Sequence, residues 1–176
     1  YGGEGLREKI TNNIPVLWLK RENVNWVKNN PKISLNLITE SYKYPSVNII
    51  GKIEGTDPKL KDEYVLISGH QDHDGIRHPV KNDTIYNGAD DNASTCVAML
   101  AMARSYKAQP SKRSILFVFH GAEERGLLGS RWHATHPVVP KEKIVAVLNG
   151  DMIGRNDNNE AALLGGNAPH KNSEEL

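Results

Sequence analysis

Four short segments carry acids and histidines at spacings that could handle a metal ion or a proton. They are Gly69-His70-Gln71-Asp72, Gly88-Ala89-Asp90-Asp91-Asn92, His120-Gly121-Ala122-Glu123-Glu124 and Asn149-Gly150-Asp151. Carboxylates gathered in one cleft repel each other and raise each other's pKa, and a divalent cation removes that penalty. One histidine among several carboxylates suits zinc, and carboxylates able to bridge suit a pair of metal ions. His70 and Asp72 stand two apart, so the Asp72 side chain is placed to accept the second ring N–H of His70 and fix its tautomer. Glu123 and Glu124 are adjacent and point differently, so one can bind metal while the other faces an attacking water.

These segments need a scaffold that brings them together, and the apolar pattern supplies one. Tyr64–Ser68, Ser114–Phe119 and Ile144–Leu148 are continuous apolar runs of strand length, and each leads directly into one of the segments. Ala93 to Tyr106 reads as a helix, with Val97, Leu100, Ala101 and Arg104 on one face and Asn92 as its cap. Val47 to Ile53 reads as a further strand, Leu127 to His133 as a helix, and Ala161 to Leu164 as a last strand. Residues 71–92 are polar and contain glycine, and read as one long loop of the kind that is usually functional. Strands alternating with helices indicate an α/β domain with a mainly parallel central sheet. In such sheets ligands bind at the carboxyl ends of the strands, where the four segments fall. Ahead of this region, Ile14–Leu19 reads as a short strand, Arg21 to Asn29 as one or two helical turns, and Ile33, Leu35 and Leu37 as a half-buried strand.

Bulk properties exclude other classes. The 176 residues carry 22 Lys and Arg against 21 Asp and Glu, a formal charge of +1, with no basic run, which argues against a nucleic-acid partner. No apolar stretch reaches the length of a membrane span. Cys96 is the single cysteine, so no intrachain disulfide forms, and its position on a helix fits buried filler better than a nucleophile. There is no internal repeat. The start at Tyr1 and the helix-start pattern Asn172-Ser173-Glu174-Glu175 just before Leu176 read as a chain cut at both ends.

In order, spacing and content the segments resemble the co-catalytic zinc peptidases, the family of bacterial leucyl aminopeptidase, aminopeptidase S and glutamate carboxypeptidase II. The resemblance rests on Ser68-Gly69-His70-Gln71-Asp72, Asn87-Gly88-Ala89-Asp90-Asp91-Asn92-Ala93-Ser94, Ala122-Glu123-Glu124-Arg125-Gly126-Leu127-Leu128-Gly129-Ser130 and Leu148-Asn149-Gly150-Asp151-Met152-Ile153-Gly154, within roughly residues 46–170. It implies a three-layer αβα fold with a mixed, mainly parallel sheet, incomplete in this chain. It also implies two zinc ions: His70 and Asp151 on one, Asp90 bridging both, and Glu124 on the second. Glu123 would be the general base, Asp72 would orient His70, and a cis peptide bond is expected at Asp90–Asp91. The implied activity is that of an aminopeptidase acting on peptides with a free N-terminus, in a secreted or periplasmic setting. Residues 1–40 resemble the tail of a protease-associated insertion, and residues 41–176 the N-terminal part of the catalytic domain. The family's last zinc ligand, a downstream histidine, has no counterpart here, which leaves the second zinc with Asp90 and Glu124 and makes activity of these residues alone doubtful. The resemblance also admits a single-zinc glutaminyl cyclase and a non-catalytic, receptor-like relative.

The other candidates read more plainly. His73, His78, His133 and His136 read as surface residues, with His73 a lesser candidate for substrate contact. His120 reads either as lining the site or as packed within the fold. Trp18, Trp26 and Trp132 read as packing residues, and Arg125 as a solvated turn residue. Asp91 reads as lying behind the ligands or as an acid at the start of the helix.

Overall fold

The computed structural model describes residues 19–30, 32, 34, 36, 38, 40, 42–155 and 160. The expected strands at Ile14–Leu19 and Ala161–Leu164 lie outside these residues apart from Leu19, as do Ile33, Leu35 and Leu37. The chain divides into two units, Tyr1–Pro45 and Ser46–Leu176. In the first, a 3-10 turn Arg21–Asn23 runs into helix α1, Val24–Asn29, close to the expected span. None of these residues is buried.

Among its described residues the second unit has six strands: β1 Ile49–Ile53, β2 Tyr64–His70, β3 Gly75–Val80, β4 Asp83–Tyr86, β5 Ser114–His120 and β6 Ile144–Asn149. Helix α2, Thr95–Ala108, joins β4 to β5, and helix α3, Leu128–Thr135, lies between β5 and β6. The main sheet has the order β1-β5-β2-β6. β1 pairs antiparallel with β5, while β2 runs parallel to both β5 and β6, giving the mixed, mainly parallel sheet expected.

Strand alternation sends successive apolar residues to opposite faces. On one face Ile67, Ile115 and Phe117 pack with Met99 of α2. On the other, Leu66, Leu116 and Val118 pack with Ile50, Val139 and Ile144. Both faces of the central strands are thus covered, and this is why these runs read as continuously apolar.

Three local features differ from the expectation. Residues 71–92 are not a plain loop. They contain the antiparallel hairpin β3–β4, whose turn residues Lys81 and Asn82 both have positive φ, at 51° and 69°. Left-handed φ at consecutive turn residues matches strand twist, but Lys-Asn is a weak signal beside Asn-Gly. Asn92 does not cap α2. It is buried, and its amide donates to the Gly150 carbonyl at 3.0 Å and accepts from the Met152 N–H at 3.2 Å. Finally, α2 turns a different face inward: Thr95 and Met99 are buried and Met102, Ala103 and Tyr106 pack beside them, while Val97 is 66% exposed and Leu100 54%.

Gly69, next to last in β2, and Gly150, just after β6, account for that rotation. A Cβ at Gly69 would stand 2.7 Å from Thr95 Cγ2, and one at Gly150 would stand 2.6 Å from it. Thr95 sits in the space left by two missing side chains, which sets the phase of α2 against the sheet. It also holds the start of the helix beside His70 and Asp151, the residues that follow these glycines.

Candidate metal centre

His70 ends β2 and is 4% exposed. Its Nδ1 lies 2.9 Å from the backbone carbonyl of Asp72 and 3.8 Å from the Asp72 carboxylate. The carbonyl, not the side chain as the spacing suggested, therefore fixes the tautomer: Nδ1–H donates and the Nε2 lone pair is left free. Nε2 is buried without a hydrogen-bond partner. It faces Asp91 Oδ1 at 3.0 Å, Asp151 Oδ1 at 3.4 Å and Glu123 Oε2 at 4.0 Å. A buried acceptor aimed at three carboxylates is costly unless a proton or a cation lies between them.

The Asp72 carboxylate has a different task. It accepts the backbone N–H groups of Glu123 at 3.0 Å and Glu124 at 3.3 Å. It thereby fixes the turn after β5 and the directions of both glutamates. Asn48 braces the same turn, accepting from Gly121 N–H at 3.1 Å and donating to the Gly129 carbonyl at 2.8 Å. Ala122 (φ 53°) and Met152 (φ 52°) adopt left-handed conformations just before Glu123 and just after Asp151. For residues with a side chain this costs on the order of 1 kcal/mol each, the kind of strain that collects at functional sites.

Among the described residues two groups of donor atoms result, each with its atoms within 4.8 Å of one another: His70, Asp91 and Asp151, and His73, Asp91 and Glu124. Of the candidate ligands, His70 and Asp151 fall in the first group, Glu124 in the second and Asp90 in neither. The shared carboxylate belongs to Asp91, one residue later. Asp90 turns away, and its Oδ1 accepts the Gly154 N–H at 2.8 Å. The cis peptide bond likewise lies at Asp91–Asn92 and not at Asp90–Asp91. Two adjacent aspartates in one loop give the sequence no means of choosing between them; the choice falls to Gly154, which offers Asp90 an N–H donor.

His73 is the site residue that the sequence reading placed on the surface. Its Nδ1 is 2.6 Å from Glu124 Oε1 and 3.9 Å from Asp91 Oδ2. Its position three residues after His70 was the one available signal, and a hairpin that returns Gly88 beside it made that signal count. Cys96 is partly buried, and its thiol donates to the His70 carbonyl at 3.1 Å. Burial raises its pKa, in keeping with a packing role.

The charges shift two groups in the cluster. Burial raises the Glu123 pKa, and Glu124, Asp151 and Asp72 add to this against the opposing pull of His70. Burial opposes protonation of His70, but the Asp72 carbonyl and the carboxylates of Asp151, Glu123 and Asp91 outweigh it and raise its pKa. Protons and a cation thus compete for the same groups, so acid opposes metal binding.

Behind this cluster lies a second pair. His120 is in register with His70 on the neighbouring strand, and its ring centroid is 5.7 Å from that of His133 on α3. Both are buried, so His133 is not the surface residue expected. Trp132 beside it is exposed and stacks on His136 at 3.8 Å, so it does not pack inward. Burial, then the charges of His133 and His70, lower the His120 pKa from 6.5 to about 4, and burial lowers that of His133. Between these values the unfolded chain binds more protons than the folded one. Stability from a neutral His120 is therefore complete above pH 6.5 and lost as pH falls through about 4, on the order of 3 kcal/mol in all. The melting temperature of chelator-treated protein is expected to drop less between pH 7 and pH 4.5 in His120→Gln than in the parent. Equal drops would assign the acid sensitivity to other groups.

The chain's relatives share this frame. The sequence model for peptidase family M28 matches residues 48–176. The chain is 34% identical over 142 residues to aminopeptidase YwaD of Bacillus subtilis, covering 80% of this chain and 29% of that protein. It therefore spans less than a third of that relative's length. Among solved structures, it resembles a Zn-dependent exopeptidase from Parabacteroides distasonis, with 29% identity, a TM-score of 0.50 and coverage of 61% of this chain and 41% of that one. It also resembles a glutaminyl cyclase from Bacteroides thetaiotaomicron, with 25% identity, a TM-score of 0.50 and coverage of 61% and 41%. With most of its length matched and its acids and histidines gathered at the carboxyl ends of parallel strands, the chain belongs to peptidase family M28.

Proposed function

We propose that this chain carries the zinc-binding and proton-transfer residues of an aminopeptidase, a metal-dependent enzyme that removes residues from the free N-terminus of peptides. The observation that carries this reading is His70 Nε2, buried, unpartnered, fixed as an acceptor and facing carboxylates from two other segments. A nitrogen with carboxylate oxygens is a donor set that zinc accepts well. His70, Asp91 and Asp151 would hold one ion, and Asp91 and Glu124 would contribute to a second. The names of relatives, a Zn-dependent exopeptidase and an aminopeptidase among them, support the same reading.

When bound, zinc supplies Lewis acidity, bringing the pKa of a coordinated water toward about 7 and polarising a carbonyl. The chain's own groups do the rest. Glu123, its pKa raised, is suited to take a proton from an attacking water and pass it to the leaving amine. Asp72 holds the Glu123 and Glu124 backbone and so keeps the base aimed. Carboxylates left partly exposed attract the substrate's free ammonium group. The family match begins at residue 48, which leaves the first forty or so residues for the protease-associated-like segment that their sequence resembles.

The test is hydrolysis of aminoacyl p-nitroanilides by a form of the protein that includes this chain. Activity is expected to vanish with a chelator, return with zinc, and be absent on N-acetylated substrates. Equal cleavage of blocked and free substrates would overturn the exopeptidase reading. Likeness to the glutaminyl cyclase favours a second reading. Cyclisation of N-terminal glutaminyl peptides without p-nitroanilide release would establish that one in its place.

A further inference from the structure

We propose that Arg125 is a carboxylate-binding residue at the rim of the metal centre, selecting peptides that carry a carboxylate close to the bond to be cut. The inference rests on the aminopeptidase reading above and names a substrate class for it. Two sources supply that chemistry: the side chain of an N-terminal aspartate or glutamate, and the terminal carboxylate of a short peptide.

Arg125 follows Glu124 in a turn held at several points. The Glu123 carbonyl accepts the N–H groups of Gly126 at 2.9 Å and Leu127 at 2.8 Å, and the Asp72 carboxylate accepts those of Glu123 and Glu124. The root of the Arg125 side chain is therefore as fixed as that of Glu124. Its guanidinium approaches Asp74, the residue after His73, with Nη1 3.9 Å from Asp74 Oδ1. That carboxylate is 9% exposed and is already engaged at 2.6 Å by Arg77 Nη2. At 3.9 Å Arg125 is drawn by the charge without a hydrogen bond to it. Its side chain is 56% exposed, which leaves the forked donors accessible to a ligand.

Strand alternation places this cluster on the metal side of the hairpin. Ile76 and Ile85 pair across β3 and β4 and are both exposed, so Arg77 and Tyr86, their neighbours in sequence, point to the opposite face. On that face the Tyr86 ring stands 6.5 Å from the His73 imidazole, and His73 Nδ1 lies 2.6 Å from Glu124. Asp74, Arg77 and Arg125 thus border the donor groups. The centre itself gathers Asp91, Glu123, Glu124 and Asp151, whose charges repel an acidic substrate unless cations stand beside them. A guanidinium holds a carboxylate through two parallel N–H···O bonds, which a neutral side chain of similar length cannot match. An extended chain advances about 3.5 Å per residue, so either carboxylate falls within reach of a side chain next to Glu124.

The experiment measures kcat/KM on two substrate pairs, in the zinc-loaded form of the protein that includes this chain, and follows arginine side-chain Nε–H resonances by NMR. Glutamyl against methionyl p-nitroanilide reads the side-chain source, and leucyl-alanine against its amide reads the terminal one. In one pair the member with the carboxylate is expected to be preferred roughly tenfold or more, and Arg125→Gln to remove that preference. Arg125→Lys should keep part of it and Arg125→Glu reverse it. The Arg125 Nε–H resonance is expected to move on titration with succinate and to stay in place with succinamide. Equal kcat/KM within both pairs, or a preference that Arg125→Gln leaves intact, overturns the assignment, while zinc-dependent cleavage leaves the aminopeptidase reading standing. An Arg125 resonance that succinate does not move overturns the assignment as well. Failure to cleave any of the four substrates overturns both.

Discussion

Replacing Asp91 by Asn is expected to strip zinc from both groups, whereas Asp90→Asn is expected to leave both loaded. Asp91 is the residue shared by the two donor sets, with one oxygen 3.0 Å from His70 Nε2 and the other 3.9 Å from His73 Nδ1. An amide in its place offers a weak neutral oxygen to each ion and removes a charge that offsets two dications. Loss of a residue that merely supports a ligand lowers metal affinity roughly 10–100-fold, so loss of a shared ligand should exceed that range. Asp90 instead accepts one N–H, from Gly154 at 2.8 Å, and the oxygen of Asn can accept it as well. The stability cost there should stay within about 1 kcal/mol. Metal content and calorimetric zinc titrations of the two variants are the measurement. If Asp90→Asn loses metal and Asp91→Asn keeps it, the register of the shared ligand is wrong, together with the description of both groups.

Glu123→Gln should separate chemistry from metal binding. Glu123 belongs to neither donor group; its nearer oxygen lies 4.0 Å from His70 Nε2. Burial and neighbouring carboxylates raise its pKa, which brings a glutamate closer to the range where a general base works well near neutral pH. The amide cannot take a proton, so kcat in an active form of the protein is expected to fall on the order of 10²–10⁴-fold. Zinc content should be unchanged, because the backbone N–H of residue 123 still donates to Asp72. A variant that keeps full activity would show that the proton goes elsewhere. One that loses zinc along with activity would place residue 123 among the ligands.

A third comparison sharpens both. Asp72→Asn leaves the backbone carbonyl that orients His70 in place and disturbs only the acceptors of the Glu123 and Glu124 N–H groups. Asp72 is thus a positioning residue for the glutamate turn, a role the sequence spacing concealed. Spacing of two suggested a side-chain contact to His70, because a carboxylate is the commonest partner. The chain instead turns so that the Asp72 carbonyl reaches Nδ1, and the carboxylate is released toward β5.

Much of the fold was legible because its signals are local and one-dimensional. The runs Tyr64–Ser68, Ser114–Phe119 and Ile144–Leu148 are continuously apolar, and the structure extends each by only one or two residues; β2 and β5 are buried along most of their length, as strands covered on both sides must be, while β6 is largely exposed. The clustering of His70, Glu123, Glu124 and Asp151 followed from their positions at the ends of those strands. Parallel strands place their carboxyl ends together whatever the loops do. Family M28 membership was readable for the same reason, since the motifs are short and sit at fixed places on the sheet.

What the tertiary structure alone decided are choices between near-equivalent neighbours. Asp90 and Asp91 differ in sequence by one position and in the fold by the Gly154 N–H that engages the first. The inward face of α2 was chosen by Gly69 and Gly150, whose missing side chains admit Thr95, and not by the apolar Val97 and Leu100, which remain exposed. His73 and His133 look alike as isolated polar residues. A hairpin brings one against Glu124, and packing on β5 buries the other beside His120. Strand identity rests on the pattern of a few consecutive residues, whereas ligand identity rests on contacts between separate segments, from His73 and Asp91 to Asp90 and Gly154, whose distances no local pattern encodes.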